Sequence, residues 1–139
     1  MTNKIEGGCQ CGAVRYATDN EPMVTFNCHC AHCQQASGAP FTTAVAVHSE
    51  GVTVTGDVIE HSQTSDLGTP VHRFSCANCG AYVYGISDGF GALAVNAVTL
   101  DDASWVAPQM EVYTSSAQPW THMNPALPQF EKLPPMDEG

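Results

Sequence analysis

Cys28-His29-Cys30-Ala31-His32-Cys33 places three thiols within six residues, and the rest of the chain is arranged around it. Two pairs answer it: Cys9-Gln10-Cys11, and Cys76-Ala77-Asn78-Cys79 past the middle. These clusters hold all seven cysteines of the 139 residues. An odd count cannot pair wholly as disulfides, and Cys28 and Cys30 are too close in sequence for a relaxed bridge. C-x-C and C-x-x-C spacing suits zinc instead, whose tetrahedral shell takes thiolates from tight turns. The four outer sulfurs complete one closed tetrahedron, the pattern of a structural site. The central three leave a second tetrahedron one ligand short, and an open position is where a substrate or water binds. His29 and His32 are the candidates to close that second site. Otherwise they serve as outer hydrogen-bond donors or as a general base.

A length of 139 residues suits a single domain, 1–139. No apolar run approaches 18 residues, so no transmembrane helix is expected. The opening MTNKIEGGCQC lacks the apolar core of a signal peptide. The expected location is therefore cytoplasmic, where thiols stay reduced and available to metal. Four Lys and Arg stand against 14 Asp and Glu, a formal charge of -10. Such a field disfavours nucleic acid and anionic membrane, whose affinity comes largely from Lys and Arg on phosphate.

Read in order, residues 1–8 form a polar lead-in, with Gly7-Gly8 turning the chain into the first cysteine pair. Gly12 follows Cys11 and Gly80 follows Cys79, and each is expected at positive φ so that amides point back at the sulfurs. Short strands are expected at Ala13–Ala17 and Met23–Asn27, with a helical turn or two over Ala31–Ser37, ended by Gly38 and Pro40. Phe41–Val47 alternates, with Phe41, Val45 and Val47 on one face. Val52–Thr55 and Val58–His61 read as strands joined by a Gly56-Asp57 hairpin turn, and Ser62–Pro70 as a polar loop. Strands follow over Val71–Phe74, Ala81–Ile86, Ala92–Val98 and Met110–Tyr113. The run from Ala92 is apolar enough for a central strand. Proline at 119, 125, 128, 134 and 135 keeps the tail extended, and Trp120, Met123, Leu127 and Phe130 fasten it to the body. His72 reads as an exposed strand residue, Trp120 as a core or lid anchor, and Tyr82 and Tyr84 as packing residues on one strand face.

The chain resembles the glutathione-dependent formaldehyde-activating family, whose domain the centromere protein V relatives share. The resemblance lies in Gly7-Gly8-Cys9-Gln10-Cys11-Gly12-Ala13-Val14-Arg15-Tyr16 and in Cys28 through Cys33 with Gly38 and Phe41. It continues through Phe74, Cys76 to Cys79 and Gly80, and through Ser115–Trp120 and Leu127–Glu131. It covers residues 7–131. It implies a mainly β fold of twisted antiparallel sheets tied by zinc knuckles, with two zinc ions per chain. Cys9, Cys11, Cys76 and Cys79 are the implied ligands of the structural zinc. Cys28, Cys30 and Cys33 are the implied ligands of the catalytic one. The implied chemistry joins a small thiol such as glutathione to formaldehyde or a related aldehyde, the reverse of a carbon–sulfur lyase. Gln34 stands where relatives often carry Arg; with His29 it is a candidate substrate contact.

Two other functions compete with that enzyme. One is a zinc-stabilised protein-binding module without catalysis. The other is a redox or metal-buffering thiol protein that uses the central site. The open fourth position favours the enzyme.

Overall fold

The computed structural model describes residues 4–134, and the fold is mainly β. Two sheets share one core. The smaller has three strands: β1 (Ile5–Gly8), β2 (Arg15–Thr18) and, beyond β2, β5 (Thr53–Thr55). The larger has seven, β3 (Val24–Cys28), β4 (Thr42–His48), β6 (Val58–Thr64), β7 (Pro70–Cys76), β8 (Tyr82–Ser87), β9 (Ala92–Asn96) and β10 (Glu111–Val112). Their order across the sheet is β10-β3-β4-β9-β8-β7-β6. One helix, α1 (Ala31–Ser37), follows β3, with Gly38 at φ 71 as its left-handed cap.

Val14, Tyr16, Val45, Val47, Val83, Leu93 and Val95 pack between the sheets, and the thiols of Cys9 and Cys76 are buried among them. Strands β4 and β9 lie inside the larger sheet, and one face of each packs on the core. Val45 and Val47 turn toward the core, while Thr42, Ala44 and Ala46 line a cavity on the opposite face.

Several local expectations change. The lead-in contains strand β1, and Gly7-Gly8 is its end rather than a turn. A Cβ on Gly7 would lie 2.2 Å from the Thr99 carbonyl oxygen, so only glycine lets these backbones meet. Gly56-Asp57 makes no hairpin. β5 pairs with β2 while β6 pairs with β7, so this turn is a corner that carries the chain from one sheet to the other. The loop expected at Ser62–Pro70 shrinks to Ser65–Thr69, because Ser62, Gln63 and Thr64 pair with His72, Val71 and Pro70. Ladder pairing overrides their polar composition.

The run from Ala92 ends as a strand at Asn96 and turns through a short 3-10 segment, Ala97–Thr99. β10 pairs with β3 in parallel; the other paired strands are antiparallel. The proline-rich tail lies against β10, where the Glu111 N–H donates to Pro128 and the Phe130 N–H donates to Glu111, both at 2.9 Å. Phe130 packs beside Cys28, Cys33 and Val112. Trp120 is no core or lid anchor, since it is 66% exposed. Pro135 lies outside the described residues.

Candidate metal centres

The outer cluster forms where the end of β1 meets the end of β7. Cys9 and Cys11 follow β1, Cys76 ends β7, and Cys79 lies in the turn to β8. Their four sulfurs lie within 4.8 Å of one another, with Cys9 to Cys11 at 3.6 Å and Cys11 to Cys76 at 3.7 Å. A tetrahedron with metal–sulfur bonds of about 2.3 Å has edges of about 3.8 Å, so the donor set fits a single ion such as zinc. Amides of Val14, Asn78 and Cys79 donate to these sulfurs at 3.2 to 3.3 Å. Both knuckles close alike. Gly12 (φ 81) donates to the Cys9 carbonyl and Gly80 (φ 80) to the Cys76 carbonyl. Burial opposes the Cys9 thiolate, but the Val14 amide and the neighbouring thiols outweigh it and bring its pKa down to about 6.

The central cluster gathers the last residue of β3 and the first turn of α1. Cys28, Cys30 and Cys33 also place their sulfurs within 4.8 Å of one another. Cys30 caps the helix, its sulfur accepting the Cys33 amide at 3.3 Å. Hydrogen bonds from Cys28 and Cys33, then the Cys33 amide and the Arg73 charge, hold the Cys30 thiol well below its ordinary range despite burial. The Cys30 sulfur, then that of Cys33, and burial push the Cys28 thiol up. Among the described residues no imidazole joins either group.

His29 turns away from the sulfurs. It is fully buried, with Nε2 2.6 Å from Glu111 Oε1. Asn27 donates to Glu111 Oε2 at 2.9 Å and accepts from Thr43 at 2.7 Å. The His29 Nδ1 has no partner. His32 bonds through Nδ1 to Gln63 and lines the cavity. Gln34 also points elsewhere. Its amide donates to the carbonyls of His29 (2.7 Å) and Ser116 (2.9 Å) and accepts from Gln118, tying α1 to the C-terminal segment.

Arg73 is the functional candidate that reading the sequence missed. It reaches from β7, is 9% exposed, and places Nη2 3.5 Å from Cys33 Sγ and 3.9 Å from Cys30 Sγ. Its Nε is sealed from solvent without a partner. The available signal was scarcity: a cation three residues before a cysteine pair, in a chain with only four. Its neighbour His72 lies at the surface, bonded to Ser62, Glu60 and Asp88. A bulge decides the tyrosines. Phe74 pairs with Tyr84 but Ser75 with Tyr82, so Val83 is the extra residue. Tyr82 therefore faces the cavity, whereas Tyr84 stacks on Phe74 in the core at 4.6 Å.

The cavity holds about 450 Å³, and the three central cysteines, Arg73 and Tyr82 stand in its wall. This is the size of an ordinary small-molecule site.

The sequence profile of the glutathione-dependent formaldehyde-activating enzyme family matches residues 4–116. A Penicillium rubens protein provisionally named as such an enzyme is 28% identical over 114 residues, covering 78% of this chain and 59% of that protein. A similarly named Sordaria macrospora protein is 28% identical over 74 residues, covering 53% of this chain and 31% of that one. The chain thus spans about a third to three fifths of the length of these curated relatives. A crystal structure of a Rhodobacter sphaeroides protein superposes with a TM-score of 0.56 at 20% identity, covering 74% of this chain and 91% of that one. That likeness concerns the fold alone.

Proposed function

The chain belongs to the glutathione-dependent formaldehyde-activating enzyme family, and from that premise we propose that it joins a small thiol to formaldehyde or a related aldehyde. The proposal treats residues 1–139 as one domain of that family, core 7–131, acting in the cytoplasm. No helix of the described residues is long and apolar enough to cross a membrane. The two cysteine clusters can hold metal ions. We assign a structural zinc to Cys9, Cys11, Cys76 and Cys79, and a second zinc to Cys28, Cys30 and Cys33.

The observation that carries this reading is convergence. Three sulfurs and the buried Arg73 guanidinium meet on the wall of one cavity. Zinc held by Cys28, Cys30 and Cys33 would lower the pKa of a small thiol and so present it as its thiolate near neutral pH. The protein's own contribution is placement and charge. Arg73 offsets the negative charge of the Cys30 and Cys33 sulfurs. Its guanidinium stands in the cavity wall, where an N–H can donate to an oxygen that gains charge. In the addition, the thiol sulfur forms the new bond to the carbonyl carbon, the carbonyl π pair moves to oxygen, and the thiol proton ends there. The product is an S-hydroxymethyl thioether, and the reverse reaction is a carbon–sulfur lyase step.

Proton NMR of thiol and formaldehyde mixtures, with and without zinc-loaded protein, tests the reading through the rate of adduct exchange. Acceleration that disappears in Cys30→Ser is the expected result. No acceleration with any thiol would leave the zinc-stabilised protein-binding module as the better account.

A further inference from the structure

The cavity beside the central cysteines is a trough across the exposed face of the larger sheet, and its floor is made of the smallest side chains. Ala46 on β4 pairs with Ala94 on β9, Ala94 with Gly85 on β8, and Gly85 with Arg73 on β7. One row of register therefore runs from two alanines and a glycine straight to the guanidinium beside the sulfurs. A Cβ on Gly85 would stand 2.9 Å from the Tyr82 hydroxyl, so the tyrosine reaches over this glycine and closes the row at its Arg73 end, leaving Ala94 and Ala46 as the low floor. The walls are apolar: Phe26, Met23, Ile86, Phe90 and Met110 surround the floor. Arg73 is the one lining residue with a permanent charge among those described, and it lies at the sulfur end. Two of the other cations face carboxylates, Arg15 on Asp101 at 2.9 Å and Lys132 on Asp66 at 2.9 Å.

We infer that the thiol taken by this site has an uncharged, apolar body, alkyl or aryl, of roughly six to ten carbons, rather than the charged tripeptide body of glutathione. The inference rests on the proposed function, since it places the sulfur at the central cysteines. Given that placement, the rest of the thiol lies along the trough, because formaldehyde is too small to need it. Glutathione carries two carboxylates and an ammonium group. In the trough it would meet one cation at one end and, along the floor and its apolar walls, mostly hydrocarbon, leaving charges desolvated and without a counter-ion. The chain's charge of -10 adds long-range repulsion. An alkyl body meets matching surface, and each buried methylene can tighten binding by up to about fourfold.

Calorimetric titration of zinc-loaded protein with ethanethiol, butanethiol, hexanethiol and glutathione tests this directly. Affinity should rise about two- to fourfold per methylene, leaving hexanethiol at least tenfold tighter than glutathione. Ala94→Leu puts a branched side chain into the floor and should flatten the series. The series on the unaltered protein decides the question even where that variant does not fold. A flat series, or glutathione bound as tightly as hexanethiol, overturns the apolar substrate while leaving the thiol site intact. Failure of every thiol, ethanethiol included, overturns the proposed function as well.

Discussion

His29 Nε2 lies 2.6 Å from Glu111 Oε1, 82 residues away in sequence, with both side chains sealed from water. The pair joins the loop that carries the central cysteines to the strand that runs parallel to β3. Its second carboxylate oxygen accepts from Asn27, which in turn accepts from Thr43 on β4. A residue between two clustered cysteines is thereby a tether, and the cysteines on either side are aimed the other way.

Glu111→Leu removes the acceptor for both His29 and Asn27 and leaves two buried donors without partners. The expected loss is about 2–4 kcal/mol, read from urea unfolding of the metal-loaded protein. Glu111→Gln should cost less, because it keeps an acceptor oxygen. Equal stability of Glu111→Leu and the parent would show that the network is dispensable.

Arg73→Met keeps the length of the side chain and removes its charge and donors. If Arg73 faces the reacting oxygen, turnover of thiol and formaldehyde should fall roughly 10- to 100-fold. The metal content should stay at the parental level, because no ligand is touched. Turnover within a factor of two of the parent, by NMR exchange, would remove Arg73 from the chemistry.

The two clusters should fail differently. Cys76→Ser breaks a site that ties residues 65 apart in sequence, and structural zinc supplies on the order of 10 kcal/mol in small peptides. That variant should be insoluble or lack fixed tertiary packing. Cys30→Ser should lose one zinc of two by native mass spectrometry and keep the fold. A soluble, cooperatively folding Cys76→Ser protein would contradict the structural assignment.

Gln34→Ala severs hydrogen bonds from α1 to Ser116 and Gln118 without touching the cavity. Stability should drop by about 1–2 kcal/mol, and thiol affinity should hold within twofold by calorimetry. A large affinity change would restore Gln34 as a substrate contact.

Asp88, and after it Glu60, raise the His72 pKa by accepting from its ring, against some desolvation. A folded-state pKa above the unfolded value of about 6.5 means that the native state favours the charged ring. The stabilisation is complete below that unfolded value and fades as pH climbs through the higher folded one. His72→Gln should therefore lower the melting temperature at about pH 5.5 and matter less at about pH 8.5. A gap that widened with pH would reverse the sign and refute the assignment.

Features set within a few residues could be read from the chain alone. The spacing inside each cysteine group is of that kind, and counting donors toward a four-sulfur shell matched Cys9 and Cys11 with Cys76 and Cys79 across 65 residues and left Cys28, Cys30 and Cys33 as a trio. Gly12 and Gly80 share a conformation because each closes a turn around a sulfur, and α1 begins and ends at Ala31 and Ser37 because its caps are local. Strand order and register are different, because they are settled by pairing between distant segments. Alternation gives a strand two faces without saying which face meets the core, and one extra residue reverses the answer. Val83 is that residue, and it sends Tyr82 to the cavity and Tyr84 to the core. Only the β7–β8–β9–β4 register sets Arg73 in line with Gly85, Ala94 and Ala46. Only the parallel docking of β10 on β3 gives His29 a carboxylate to face. The cysteine clusters are a property of spacing, whereas the cavity beside the central one, largely apolar and with Arg73 as its one permanent charge among the described residues, exists only once the sheets have assembled.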